Sequence, residues 1–238
     1  MNYGIIAAGE GSRLSQEGVA EPKPLVRLQG QHLVDRLTGI FLRHDAERIA
    51  IICNAHTPEV RQHLEEMQRE GLNGQHVPLR LVVKTTPSSM HSLYALRDSL
   101  QGGPFVVTTV DTIFPEAAFG DYLRCLKESL EEGYDGVMGV TAYVDDEKPL
   151  YVGADENNNV TGFYDTQSGC HLVSAGIYGL DEKAWQTLDR CIARGESRMR
   201  NFQRALIKDG RRLKAFVFDK VIDIDHASDI KKAEDLLG

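Results

Sequence analysis

Residues 1–14 read MNYGIIAAGEGSRL, and residues 21–26 read EPKPLV. A short apolar run ends in a turn with Gly9 and Gly11 on either side of Glu10, and Ser12 and Arg13 follow at once. Lys23 then stands between Pro22 and Pro24. A buried strand that breaks into glycines lets backbone N–H groups come close to a phosphate, because a residue without Cβ leaves room for it. Two well-known versions of such a turn do not match. A phosphate-binding P-loop needs GxxxxGK(S/T), which is absent, and the dinucleotide fingerprint needs a third glycine where this chain has Leu14. What remains is Gly-x-Gly-Ser-Arg followed by Pro-Lys-Pro. Two cations on one glycine turn predict an anionic ligand.

Outward from that turn, apolar runs alternate with amphipathic stretches. Residues 3–8, 49–53, 79–83, 105–110 and 137–140 are short and rich in Val and Ile, as buried strands are. Between them, 32–42, 58–70, 90–100 and 117–131 carry helical periodicity; the second of these has Pro58 at its first turn, with Thr57 as a suitable N-cap. This alternation predicts a three-layer α/β sandwich, a mostly parallel mixed sheet of Rossmann-like form with helices on both faces. After residue 140 the rhythm changes. Strands at 150–154, 160–164 and 172–179, separated by polar turns such as 155–159, predict a small antiparallel β addition. Helices at 182–194 and 201–209, a strand at 213–218 and a helix at 227–237 close the chain. No repeat, low-complexity segment or linker divides it, so a single domain over residues 1–238 is expected.

Composition excludes several function classes. The chain has 27 basic and 35 acidic residues, a net charge of −8, which disfavours nucleic acid or an anionic membrane as general partner. No apolar run approaches the ~20 residues of a membrane span, and the N-terminus lacks the basic start of a signal peptide. Cys53, Cys125, Cys170 and Cys191 are scattered without Cys-x-x-Cys spacing, which fits free thiols in a reducing cytoplasm better than disulfides or zinc.

The opening stretch resembles the LAGGxGTRL…PKPL motif of the nucleotidyltransferases that make NDP-sugars and related activated alcohols. Ile6, Ala7, Gly9, Gly11, Ser12, Arg13, Leu14, Lys23 and Leu25 stand at matching places; Ala8 replaces a glycine and Ser12 a threonine. Residues 105–114 (FVVTTVDTIF) resemble that family's strand ending in a metal-binding Asp, 174–180 (SAGIYGL) its aGiY strand, and 221–236 (VIDIDHASDIKKAEDL) its closing segment. Four motifs in the family's order imply its GT-A-type fold and its reaction: NTP and a phosphorylated small-molecule acceptor give an activated diphosphate and pyrophosphate. The resemblance implies a nucleotide site at Ala7, Ala8, Gly9, Gly11, Ser12, Arg13, Lys23 and Ser92, in which Arg13 and Lys23 act on the phosphates.

That chemistry explains the residue types. The acceptor phosphate is already an anionic nucleophile, so no general base is required, and cations with Mg²⁺ relieve charge repulsion and align the reactants. Mg²⁺ takes one or two carboxylates with phosphate oxygens and water. Asp111, at the end of an apolar strand, suits that role, although turn aspartates are common at strand ends. Asp223 and Asp225 alternate along an extended stretch, which would put both carboxylates on one face. The expected metal set is therefore Asp111 with Asp223 or Asp225, while Asp225 or Asp229 also stands where a cap of the last helix belongs.

Acceptor identity stays open between two classes. Sugar-phosphate enzymes of the family carry an EKP-like segment where residues 162–167 read GFYDTQ, and a Gly-Thr pair where 87–94 read PSSMHSLY. The SLY stretch and the VIDID ending are similar to the CTP:phosphocholine cytidylyltransferase branch. A sugar 1-phosphate is expected first and phosphocholine or a similar phospho-alcohol second. Other readings are a glycosyltransferase using Asp223-Ile224-Asp225 as its metal motif, a cofactor nucleotidyltransferase of the molybdopterin type, and a non-catalytic nucleotide-binding regulator. Arg198, Arg200 and Arg204 form a local basic cluster, read first as a solvated helix face and second as a contact to phosphate. His56, His91 and His171 lack partners at metal or triad spacing, and Asp145-Asp146 reads as a solvated turn. Asn54 ends a strand, where it faces a ligand or simply makes a turn.

Overall fold

The first strand, β1 (Asn2–Ala7), is buried along its whole length. Side chains alternate across a strand, and here they feed two cores: Tyr3, Ile5 and Ala7 enter one, Ile6 with Ala8 the other. A strand covered on both faces has to be the middle of a sandwich. The computed structural model, which describes residues 1–9 and 11–238, has that architecture.

After β1 come α1 (Ser12–Gln16), a single 3-10 turn at Lys23–Leu25, a two-residue hairpin of β2 (Arg27–Leu28) and β3 (Gln31–His32), and α2 (Leu33–Arg43). Three strand–helix units follow: β4 (Arg48–Cys53) and α3 (Pro58–Glu70), β5 (Leu79–Val83) and α4 (Ser89–Leu100), then β6 (Phe105–Thr109), the short β7 (Thr112–Ile113) and α5 (Glu116–Glu131). β8 (Gly136–Thr141) precedes the strands β9 (Tyr151–Ala154), β10 (Val160–Tyr164) and β11 (Leu172–Leu180). The chain ends with α6 (Lys183–Ala193), α7 (Met199–Lys208), β12 (Leu213–Phe218), β13 (Ile222–Asp223) and α8 (Ala227–Leu237). Every strand and helix expected from periodicity is present to within two residues. Thr57 does take the N-cap position of α3, yet its hydroxyl donates to the Asn54 carbonyl (3.0 Å) instead of capping the helix.

β5, β4, β1 and β6 are parallel neighbours in that order, so their carboxyl ends share one edge. β11 runs antiparallel beside β6. On its other side it pairs with β8, itself parallel to β12. β11 changes partners partway: its first residues, Leu172 and Val173, pair with β9, and Ile177–Leu180 pair with β6. Between them the ladder shifts at a bulge containing Gly176, whose φ of +72° suits a residue without Cβ. That break opens the sheet beside the carboxyl end of β6. The antiparallel addition expected from the turns is thus β9, β10 and the start of β11, joined to the same nine-stranded sheet.

One helical layer contains α2, α3, α5 and α8, the other α4, α6 and α7. In the first, Tyr3 stacks on Phe41 with ring centroids 4.3 Å apart, and Phe119 stacks between Phe114 and Tyr122. Such pairs add about 0.5–1.5 kcal/mol each beyond their buried area. The Tyr122 hydroxyl is satisfied by the Val137 carbonyl (3.0 Å). Among the described residues no helix is long and apolar enough to cross a membrane.

Candidate active site

The ends of β1, β4 and β6 and the loop after β5 surround a cleft of about 480 Å³, a size ordinary for small-molecule sites. Ala7, Ala8, Gly9, Gly11, Ser12, Lys23 and Ser92 line it together, with Asp111 at one side. Arg13 does not. Because α1 starts at Ser12, Arg13 is turned away from the Gly11–Ser12 line and reaches across to Asp225 (Nη1 to Oδ2, 3.0 Å), leaving its side chain 53% exposed. It lines a smaller neighbouring cavity with Asp223 and Asp225.

The floor of the cleft is fastened by a residue whose role sequence reading left undecided. Asn54, 4% exposed, donates from Nδ2 to the Ala8 carbonyl (3.1 Å) and accepts at Oδ1 from the His56 N–H (3.0 Å) and the Thr85 hydroxyl (2.7 Å). It ties the ends of β1 and β4 to the loop after β5. Ser92 is buried as well, its hydroxyl 2.6 Å from that of Thr86. Side-chain ties of this kind hold backbone N–H groups in place before a ligand arrives.

Gly11 adopts φ +60°, and a Cβ there would lie 3.3 Å from Lys23 Cβ. A β-branched residue pays about 1–2 kcal/mol for the left-handed conformation and presses on the lysine as well. The expected result for Gly11→Val is a folded protein whose nucleotide affinity in calorimetry is weaker by about tenfold or more. An unchanged Kd would take this turn out of the binding site.

Beside the cleft lies a cluster of charges. Lys23 Nζ sits between Asp111 Oδ2 (2.6 Å) and Asp225 Oδ1 (2.7 Å). The two carboxylate oxygens are therefore no further apart than those two contacts laid end to end. Burial acts to lower the Lys23 pKa, but the two carboxylates outweigh it and the ammonium is pushed up to about 12. For Asp225, burial raises the pKa, and the Lys23 hydrogen bond with Arg13 and Lys23 charge overcomes it, so the carboxyl stays below its ordinary range.

Local pairing brings residues 223–225 to Asp111. β13 runs antiparallel to β7, with Asp223 opposite Thr112, and the Ile224 N–H donates to the Asp111 carbonyl (3.1 Å). The turn into α8 is held from two sides. His226 takes the N-cap position of α8, and Asp229, the N3 residue, accepts from the backbone N–H groups of Asp225 (3.2 Å) and His226 (2.8 Å) in a capping box. Glu17 of the segment after α1 accepts from His226 Nδ1 (2.6 Å) and the Ala227 N–H (2.7 Å).

The carboxylate set differs from a ready-made cage. Among the described residues no group of three acidic, His or Cys side chains is arranged to hold an ion, because Lys23 supplies the countercharge between Asp111 and Asp225. Asp223 is crowded by the cleft walls and by the Asp111 carboxylate, which push its pKa up to about 7 although it remains open to solvent on the cleft side. Two close carboxylates and a third that resists ionisation fit Mg²⁺, which asks for few protein ligands beside phosphate oxygens and water. Asp223 is neutral below its pKa and anionic above it, so divalent-cation affinity should rise between about pH 6 and pH 8. Mn²⁺ titrations across that range check the sign; a flat profile would remove Asp223 from the ion site.

A second cavity, about 340 Å³, shares Ser89 and Thr109 with the first cleft and opens at the β11 bulge beside Gly176 and Asp223. Arg198 and Arg200, expected on a solvated helix face, line it. Arg200 and Arg204 converge on Asp165 (2.6 and 2.7 Å), and Asp165 lies inside the GFYDTQ segment. Arg198 is drawn in because its N–H donates to Ser88 Oγ (3.2 Å) on the wall of the first cleft. Of the remaining candidates, Asp145 pairs with Lys232 (2.7 Å), Asp146 accepts from the Lys148 N–H (2.8 Å), and His91 meets Ser88 (2.9 Å).

Residues 4–209 match the MobA-like NTP transferase domain. The chain belongs to that family. Its fold is that of solved nucleotidyltransferases. A putative glucose-1-phosphate thymidylyltransferase from Bacillus anthracis superposes with a TM-score of 0.82 at 19% identity, over 99% of this chain and 94% of that one. The inositol-1-phosphate CTP transferase from T. maritima gives 0.77 at 18% identity, covering 100% and 97%. CTP:phosphocholine cytidylyltransferase from Streptococcus pneumoniae gives 0.75 at 19%, covering 100% and 99%. No curated protein matches the sequence significantly. Family membership agrees with the resemblance seen at the glycine turn.

Proposed function

We propose that this member of the MobA-like NTP transferase family couples an NTP to a phosphorylated small-molecule acceptor, a sugar 1-phosphate in the first instance, with Mg²⁺ as cofactor. The observation that carries the reading is the Lys23 ammonium held against Asp111 and Asp225 at the mouth of a glycine-turn cleft. A triphosphate in the cleft competes with those carboxylates for the ammonium. Backbone N–H groups of residues 7–9, 11 and 12 and the wall at Ser92 seat the nucleotide, and Lys23 faces the phosphate charge while Arg13 is held on Asp225 beside it. An acceptor phosphate oxygen, entering from the second cavity, attacks the α-phosphorus; the bond to the bridging oxygen breaks and pyrophosphate leaves with that electron pair. Mg²⁺ held by Asp111 and Asp225, with Asp223 beside them, would add Lewis-acid charge and alignment worth several kcal/mol. All four cysteines are free, and Cys53 and Cys191 are buried, which supports residence in the cytoplasm.

The test is pyrophosphate release from each of the four NTPs, with and without Mg²⁺, in the presence of sugar 1-phosphates and of phosphocholine. Release that needs one NTP, one acceptor and the metal is the expected result. No release from any combination, with the protein folded, would favour a nucleotide-binding regulator.

A further inference from the structure

Gln203 on α7 is 1% exposed and yet lines the second cavity. Its Nε2 donates to Ser174 Oγ (3.0 Å), and no described residue donates to its Oε1. Whichever way the amide is turned, one polar end is left facing the cavity, where a ligand can reach it for a hydrogen bond. The same cavity carries three cations: Lys148, Arg198 and Arg200. Arg200 is compensated by Asp165 and its other donor meets the Lys148 carbonyl (3.0 Å), whereas Arg198 has no carboxylate partner among the described residues. Asp146 and Asp223 are the acids of the lining. Tyr178, 9% exposed, is its one aromatic residue among those described. A quaternary ammonium group needs several aromatic faces, and a single buried ring beside arginines does not supply them.

We infer that Gln203 is a specificity-determining residue that hydrogen-bonds a hydroxyl of a polyol-type phosphate monoester, such as a sugar or cyclitol phosphate, whose phosphate is met by Arg198 and Lys148. The inference rests on the nucleotidyltransferase reading and names its acceptor class. A hydroxyl donating to Gln203 Oε1 completes the buried amide, and an acceptor without hydroxyls leaves it unpaired.

Steady-state kinetics of the full chain test this with four phosphate monoesters: glucose 1-phosphate, inositol 1-phosphate, glycerol 3-phosphate and phosphocholine. The expected order puts at least one polyol phosphate about tenfold or more above phosphocholine in kcat/KM. Gln203→Leu should then raise the KM of that acceptor by about tenfold, the order of one hydrogen bond lost at a buried site, with the KM for NTP unchanged. Arg198→Met, at an exposed position, avoids any folding defect and should raise the acceptor KM for all phosphate monoesters while sparing NTP. Phosphocholine as the best acceptor, or an unmoved acceptor KM in both variants, overturns the inference. So does normal NTP binding with no polyol phosphate consumed. Loss of NTP binding by the wild-type chain instead defeats the nucleotidyltransferase reading itself.

Discussion

Lys23→Ala should lower kcat/KM by about two to three orders of magnitude, or about 2–4 kcal/mol of transition-state stabilisation, the size of one electrostatic donor removed from a preorganised site. The expectation follows from where the ammonium is and what holds it. The Lys23 side chain is only 12% exposed, and its charge is fixed by Asp111 and Asp225 at 2.6 and 2.7 Å. Little reorganisation is needed to present that charge to phosphate, since Lys23 opens a 3-10 turn with Pro22 before it and Pro24 after it, which limits the backbone. Alanine leaves two close carboxylates without their countercharge, so the variant should bind divalent cations no more weakly than the wild type while turning over far more slowly. That separation distinguishes a cation that acts on phosphate from one that only balances the site. A variant with kcat/KM near wild type would reduce Lys23 to a structural ion pair.

Asp111→Asn should abolish Mg²⁺-dependent pyrophosphate release while the fold survives. The substitution keeps shape and hydrogen-bonding capacity but removes one of the two carboxylates nearest Lys23, and a neutral amide is a poor Mg²⁺ ligand beside phosphate. Loss of metal template and Lewis acid together is worth several kcal/mol. Circular dichroism and thermal unfolding check that the variant is folded, and Mn²⁺ titration should show weakened binding. Activity at the wild-type level would remove the metal role of Asp111.

Much of the architecture was readable because it rests on long, regular patterns: β1, β4 and β6 are buried on both faces and carry apolar runs, the edge strand β5 is short and rich in Leu and Val, and the helices between them keep a 3.6-residue period. The family resemblance pointed to the glycine turn, Lys23 and Asp111, which lie together around one cleft. What escaped was built from pieces too short to have a period. β7 and β13 are two residues each, yet their pairing is what brings Asp223 and Asp225 across more than a hundred residues to Asp111. The turn of Arg13 toward Asp225 depends on where α1 begins, a boundary that Gly11 sets through its backbone angle. The sequence left Asn54 open between facing a ligand and making a turn, and only its contact to the Ala8 carbonyl, like those of Glu17 to His226 and Ala227, reveals what it fastens. Gln203 looks like the polar side of an amphipathic helix, and only its contact to Ser174 shows that it is buried against β11.

The central claim is a group transfer, and its most direct measurement follows the phosphorus atoms. With [α-³²P]NTP, Mg²⁺ and a phosphorylated acceptor, the account predicts that label appears in a new diphosphate ester and that the pyrophosphate released is unlabelled, both in equal amounts and both stopped by chelation of the metal. Label in the pyrophosphate, label in free NMP without a coupled product, or no transfer to any sugar phosphate or phospho-alcohol would contradict it.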